Sequence, residues 1–147
     1  MSSKLRTTSW ILLTVVGALV LVGSLASAGL AYSRSEYPIG TVPLTDVAAG
    51  REGVATALRA IRGTSAAYAA AYAVLFLFIV TGPYRRGEVW AWWAILGGTL
   101  AVALIILARV PFLGIPMGGG GTGPALVQAG VVVLGLLLDV GRLGAKS

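Results

Sequence analysis

The sequence contains no cysteine and no histidine. Without them the chain alone cannot build a disulfide, a thiolate nucleophile, a Cys/His metal site or a histidine-ligated haem. Quinone-linked disulfide exchange and histidine-box oxygenation are excluded with them. Charge is also scarce: 11% of the 147 residues are charged, against about 25% in soluble domains. Only five residues are acidic, so paired carboxylates have few places to form. The abundance lies elsewhere, in 57% hydrophobic residues and a mean hydropathy of +0.90. That balance excludes an ordinary soluble domain and identifies a membrane protein.

The formal charge of +6 does not imply a nucleic-acid partner. The lysines and arginines lie singly or in pairs between apolar runs, with no basic patch interleaved with stacking aromatics. Juxtamembrane cations facing anionic membrane lipids account for them.

Four segments are long and apolar enough to be read as spans of about 20 residues each. The first covers 10–31, after Lys4 and Arg6. Its start also has the layout of a secretory signal, with Ala26, Ser27 and Ala28 as the small-residue cleavage site. Continuation of the apolar run through Gly29, Leu30 and Ala31 favours a retained span. The second span covers 64–82, the third 89–108 and the fourth 124–140. The expected fold is an all-α integral membrane four-helix bundle, one transmembrane domain over 1–147.

Residues 32–63 form the one long polar section and are expected as an outer loop between spans one and two. Pro38, Gly40 and Pro43 make its first half irregular. From Asp46 to Arg62 the pattern predicts a short amphipathic helix on the membrane surface. Val47, Gly50, Val54, Leu58 and Ile61 share one arc, with Glu52, Thr56 and Arg59 opposite. Thr45 or Asp46 is expected to cap its start, and Arg59 and Arg62 to suit its negative end.

Residues 109–123 are expected as an apolar loop, because Pro111, Pro116 and the glycines 118–121 interrupt any helix. Such a loop can lie in the interface or dip inward against protein. The glycine tract invites a phosphate-loop reading, but Pro124 follows Gly123 where Lys-Ser/Thr would be required. No cofactor is expected.

Arg85 and Arg86 sit in a very short turn between spans two and three, on the same side as both termini. Cation density therefore places both termini in the cytoplasm of a multi-pass plasma-membrane protein. Trp10, Tyr84, Trp90, Trp92 and Trp93 fall at that same face and are expected as interfacial anchors.

Three further groups stand out. Ala94 and Gly98, and Gly97 and Ala101, place small residues four apart in span three, as close helix packing in lipid requires. Asp139, surrounded by apolar residues, is the candidate ion or proton site, with an i, i+3 pairing to Arg142 as the structural alternative. Tyr68 and Tyr72 stand one turn apart in span two, and Gln128 in span four is at similar depth. Together these three can line a pocket for a lipophilic ligand.

The stretch Pro83-Tyr84-Arg85-Arg86-Gly87-Glu88-Val89-Trp90-Ala91-Trp92-Trp93, with the four-span layout, resembles uncharacterised small four-helix bacterial membrane proteins. That resemblance implies no catalytic residue. The expected role is therefore non-enzymatic: an accessory subunit of a larger membrane complex, or an oligomeric scaffold. A lipid-binding or transport protein with a pocket between spans two and four is the alternative. Single cysteines test the topology: residues placed at Ser2 and Ser147 should react only with reagent inside the cell, and one at Thr41 only from outside. Outside labelling at Ser147 overturns the arrangement, and loss of residues 1–28 from the mature chain leaves three spans.

Overall fold

A computed structural model describes residues 3–33, 36, 38–39, 42–114 and 122–144. Among the described residues the chain is all-α apart from one hairpin of two two-residue strands. Helix α1 covers Ser3–Ser33, and strands β1 (Pro38–Ile39) and β2 (Val42–Pro43) pair antiparallel, Ile39 opposite Val42. Helices α2 (Leu44–Ala48), α3 (Glu52–Ile79), α4 (Val89–Leu113) and α5 (Thr122–Leu137) follow, and a 3-10 turn covers Val140–Gly144. Three helical segments are long and apolar enough to cross a membrane: Lys4–Ser33, Glu52–Tyr84 and Val89–Leu113. Helix α5 is apolar but shorter, 16 residues, which at 1.5 Å per residue is about 24 Å.

The chain divides into two compact units, Met1–Gly17 with Leu75–Ser147, and Ala18–Val74. In the second unit the expected surface helix is not one element. Ala49 and Gly50 both adopt positive φ, 47° and 72°, and end α2 after five residues. Gly50 takes that conformation without penalty, whereas Ala49, the C-cap just before it, does so at a steric cost while its amide bonds the Asp46 carbonyl. Helix α3 then starts at Glu52 and runs straight through the position where the loop was to end. No proline lies between Glu52 and Ile79, and Gly63 alone does not stop a helix. The capping expectation also changes. Pro43 precedes α2 without a side-chain cap, and Thr45 Oγ1 donates instead to Glu36 Oε1 at 2.8 Å. Ile61, expected on the protected arc, is exposed, and Arg59, expected to be open, is half-buried.

The same unit shows why Arg59 and Arg62 face inward. Helix α1 carries no basic residue in its last turn, and its terminal carbonyls lack intrahelical donors. Arg59 supplies them, Nε donating to the Ala31 carbonyl at 2.9 Å and Nη2 to that of Tyr32 at 3.2 Å. Arg62 Nε donates to Ser27 Oγ at 3.1 Å. The two arginines thus serve the end of α1, since their own helix has no end nearby. A side chain at Gly63 would strike the Tyr32 ring, with Cζ at 2.6 Å from the would-be Cβ.

In the first unit α3 leads into a π-helical turn over Val80–Tyr84 that contains Pro83. Proline has no N–H and crowds the carbonyl four residues earlier, so the turn widens and the Arg85 amide reaches the Val80 carbonyl, five residues back. Gly82 and Pro83, expected to end the span, therefore widen the helix without breaking it. Helix α4 likewise continues past Arg109 and through Pro111 to Leu113, where Gly114 closes it with φ 64°. The start of the expected loop is thus helical. The glycine tract 118–121 and Pro116 lie outside the described residues, and with them the question of inward dipping.

Helices α4 and α5 pack together, with Ala91, Trp92, Ile95 and Thr99 on the buried face of α4. Close approach to α1 needs glycine at two positions. A Cβ on Gly135 would stand 2.9 Å from Leu13 Cδ2, and one on Gly17 would stand 2.8 Å from Leu77 Cδ2. Leu13 is fully buried and has nowhere to retreat. Gly130 is the natural control, with open space where its Cβ would lie. Gly135→Ile should cost about 1–3 kcal/mol through overpacking, and Gly130→Ile should be near neutral, both read as thermal unfolding in detergent.

Candidate functional site

Four polar side chains are buried together in the first unit: Ser9 at 0% exposure, Tyr84 at 0%, Asp139 at 1% and Arg142 at 7%. They arrive from three parts of the chain. Ser9 lies in α1, Tyr84 closes the π turn, and Asp139 and Arg142 follow α5.

The arrangement starts from the end of α5. The Asp139 amide bonds to the Leu136 carbonyl at 3.1 Å, an i to i−3 contact that tightens the last turn. The Gly135 carbonyl thereby loses its helical donor. Ser9 Oγ replaces it, donating at 2.7 Å. Ser9 Oγ also lies 2.6 Å from Tyr84 Oη. Serine has one proton and a carbonyl can only accept, so the Tyr84 hydroxyl is the donor in that contact. Trp92 Nε1 donates to the Leu136 carbonyl at 3.1 Å. Side chains from α1 and α4 thus complete two backbone carbonyls of α5, and Tyr84 completes the serine.

Asp139 and Arg142 form an ion pair. The guanidinium lies 4.1 Å above the Tyr84 ring, a cation–π contact strengthened by the burial of both groups. The Tyr84 hydroxyl also lies beside Asp139, but its proton is committed to Ser9. Arg142 Nε and Nη1 find no hydrogen-bond partner among the described residues. The pair is neutral overall, and its cation sits where the dipole of α5 is negative. Chemically the cluster joins the ends of helices.

Asp139 and Tyr84, singled out from the sequence as ion site and interfacial anchor, meet here. Trp92 is buried as well, whereas Trp90 and Trp93 are exposed and Trp10 is half-buried. Glu88 accepts from Arg86 Nε at 3.1 Å and from Trp90 Nε1 at 2.5 Å. Of the small residues in α4, Gly97 and Ala101 are exposed, and Ala94 and Gly98 are half-buried. Tyr68 is 75% exposed and Tyr72 half-buried in the second unit, and Gln128 is half-buried in the first. Ser9 and Gly135 carried no signal in the sequence. A serine beside a tryptophan and a glycine in an apolar run are common in any span.

No protein-family model, curated protein or solved structure matches the chain.

A buried pair is most sensitive to losing one partner. Asp139→Leu leaves Arg142 buried and uncompensated and should cost about 3–5 kcal/mol. Asp139→Leu/Arg142→Met should recover most of that loss in the same unfolding measurement, the non-additivity reporting the coupling.

Proposed function

We propose that this chain is a multi-pass membrane protein that works by lateral association in the bilayer, as an accessory subunit or an oligomeric scaffold, without catalysing a reaction of its own. One observation carries this reading. The face of α4 that packs inside the chain is Ala91, Trp92, Ile95 and Thr99, whereas Gly97 and Ala101 are turned outward, with open space around a Cβ on Gly97. Small residues four apart let a second helix approach closely, and in lipid close approach is the main source of attraction between helices. In this reading α5 completes a four-span bundle, supported by its packing on α4 and by the 3-10 turn that prolongs it to Gly144. Both termini then share the face of Arg85 and Arg86, and the membrane is a bacterial plasma membrane.

Gly97→Leu fills that outward face without touching the interior. It should leave helical content and melting temperature intact while removing the higher-order species from mass spectra of the mildly solubilised protein. A wild-type chain that stays a lone monomer with no co-purifying subunit overturns association. A fully assembled Asp139→Asn protein that has lost its cellular role would transfer the function to the Asp139 cluster.

A further inference from the structure

The first unit contains two acidic residues, Glu88 and Asp139, and both are engaged, by Arg86 and Arg142 respectively. Two other arginines meet at the turn between α3 and α4, with no carboxylate beside them among the described residues. Arg6 Nη2 reaches the Arg85 carbonyl at 3.4 Å, and the Arg85 guanidinium lies 4.8 Å above the Trp10 ring. Trp10 is one helical turn beyond Arg6, on the same face of α1. Gly87, with φ 96°, lets the backbone pass directly against the Arg6 guanidinium, where a Cβ would collide with Nη2. Both guanidinia are therefore held in place while remaining exposed. Neither guanidinium is neutralised by a carboxylate among the described residues, so each keeps its charge available to an anion.

We propose that Arg6 and Arg85 form a built site for the phosphate of an anionic phospholipid. The guanidinium edge offers forked N–H donors that match phosphate oxygens two at a time, and stacking on Trp10 occupies the face of Arg85 while leaving that edge free. The lipid source follows from the surroundings. Exposed Trp90 and Trp93 flank the turn, and α1, α3 and α4 are long and apolar enough to cross a bilayer. Tryptophans at the ends of such helices sit at headgroup level. Glu88, bound to Arg86 and Trp90, is kept from neutralising the site. The inference needs only that these helices cross a membrane, so it stands or falls separately from association through α4.

The test is retention of lipid. The full chain is placed in nanodiscs of mixed phosphatidylglycerol and phosphatidylcholine and released for mass spectrometry with its bound lipids. Phosphatidylglycerol should be retained preferentially, and Arg6→Gln/Arg85→Gln should weaken that retention at least about tenfold. Lys4→Gln/Lys146→Gln removes the same formal charge and should leave most of it. Arg6→Lys/Arg85→Lys keeps the charge and loses the fork, so several-fold weaker retention at an unchanged melting temperature is expected. Equal loss in the two glutamine variants means a diffuse basic field and overturns the site. Unchanged retention in the lysine variant overturns it too, even if the Arg6→Gln/Arg85→Gln chain fails to fold. Displacement of the lipid by inorganic phosphate overturns the lipid assignment.

Discussion

A helix leaves its last carbonyls without intrahelical donors, and each one buried unpaired costs free energy comparable to a lost hydrogen bond. In this chain those carbonyls are met by side chains from other helices. Ser9 and Trp92 complete Gly135 and Leu136 at the end of α5, and Arg59 completes Ala31 and Tyr32 at the end of α1. Neither helix has a basic residue in its own last turn. Satisfying the backbone thus requires tertiary structure, and a terminus can be complete only when its neighbour is in register. The ion pair of Asp139 and Arg142 and the Tyr84 hydroxyl are built around that requirement.

Register in turn depends on how near the backbones come. Ser9 Oγ reaches a main-chain oxygen of α5 because glycine stands at 135 and lets Leu13 lie against the helix. Gly63 likewise admits the Tyr32 ring at the other capped end. Many apolar positions of the helices, such as Leu19, Leu104, Ile105 and Leu134, are exposed on the isolated chain, which is compatible with helices apolar enough to cross a membrane. The interactions that define the fold are few and polar.

The three long apolar helices were legible from hydropathy alone, because absence of charge over twenty residues has no other common explanation. The pairing of Asp139 with Arg142 was legible from their spacing. Helix ends were not. Proline and glycine at 82, 83 and 111 read as breaks, but in a long apolar segment neighbouring helices hold the chain helical through them. The start of α3 was hidden for the opposite reason. Its first turns carry Glu52, Arg59 and Arg62 and look like surface, although the backbone simply continues. Tyr84 and Trp92 looked like lipid anchors because residue type reports depth along the membrane normal and says nothing of which way a side chain points. Ser9 and Gly135 matter only through each other, a relation across 126 positions that a single sequence does not display.

The π turn at Val80–Tyr84 fits one more residue into its loop than an α turn would. Successive residues of a helix are rotated by about 100°, and the wide turn takes up its extra residue without that rotation; regular α winding over the same residues would swing everything after it by roughly that angle. Tyr84 would then face away from Ser9, and Arg85 away from Trp10. The width of this turn therefore sets the phase of every side chain that follows.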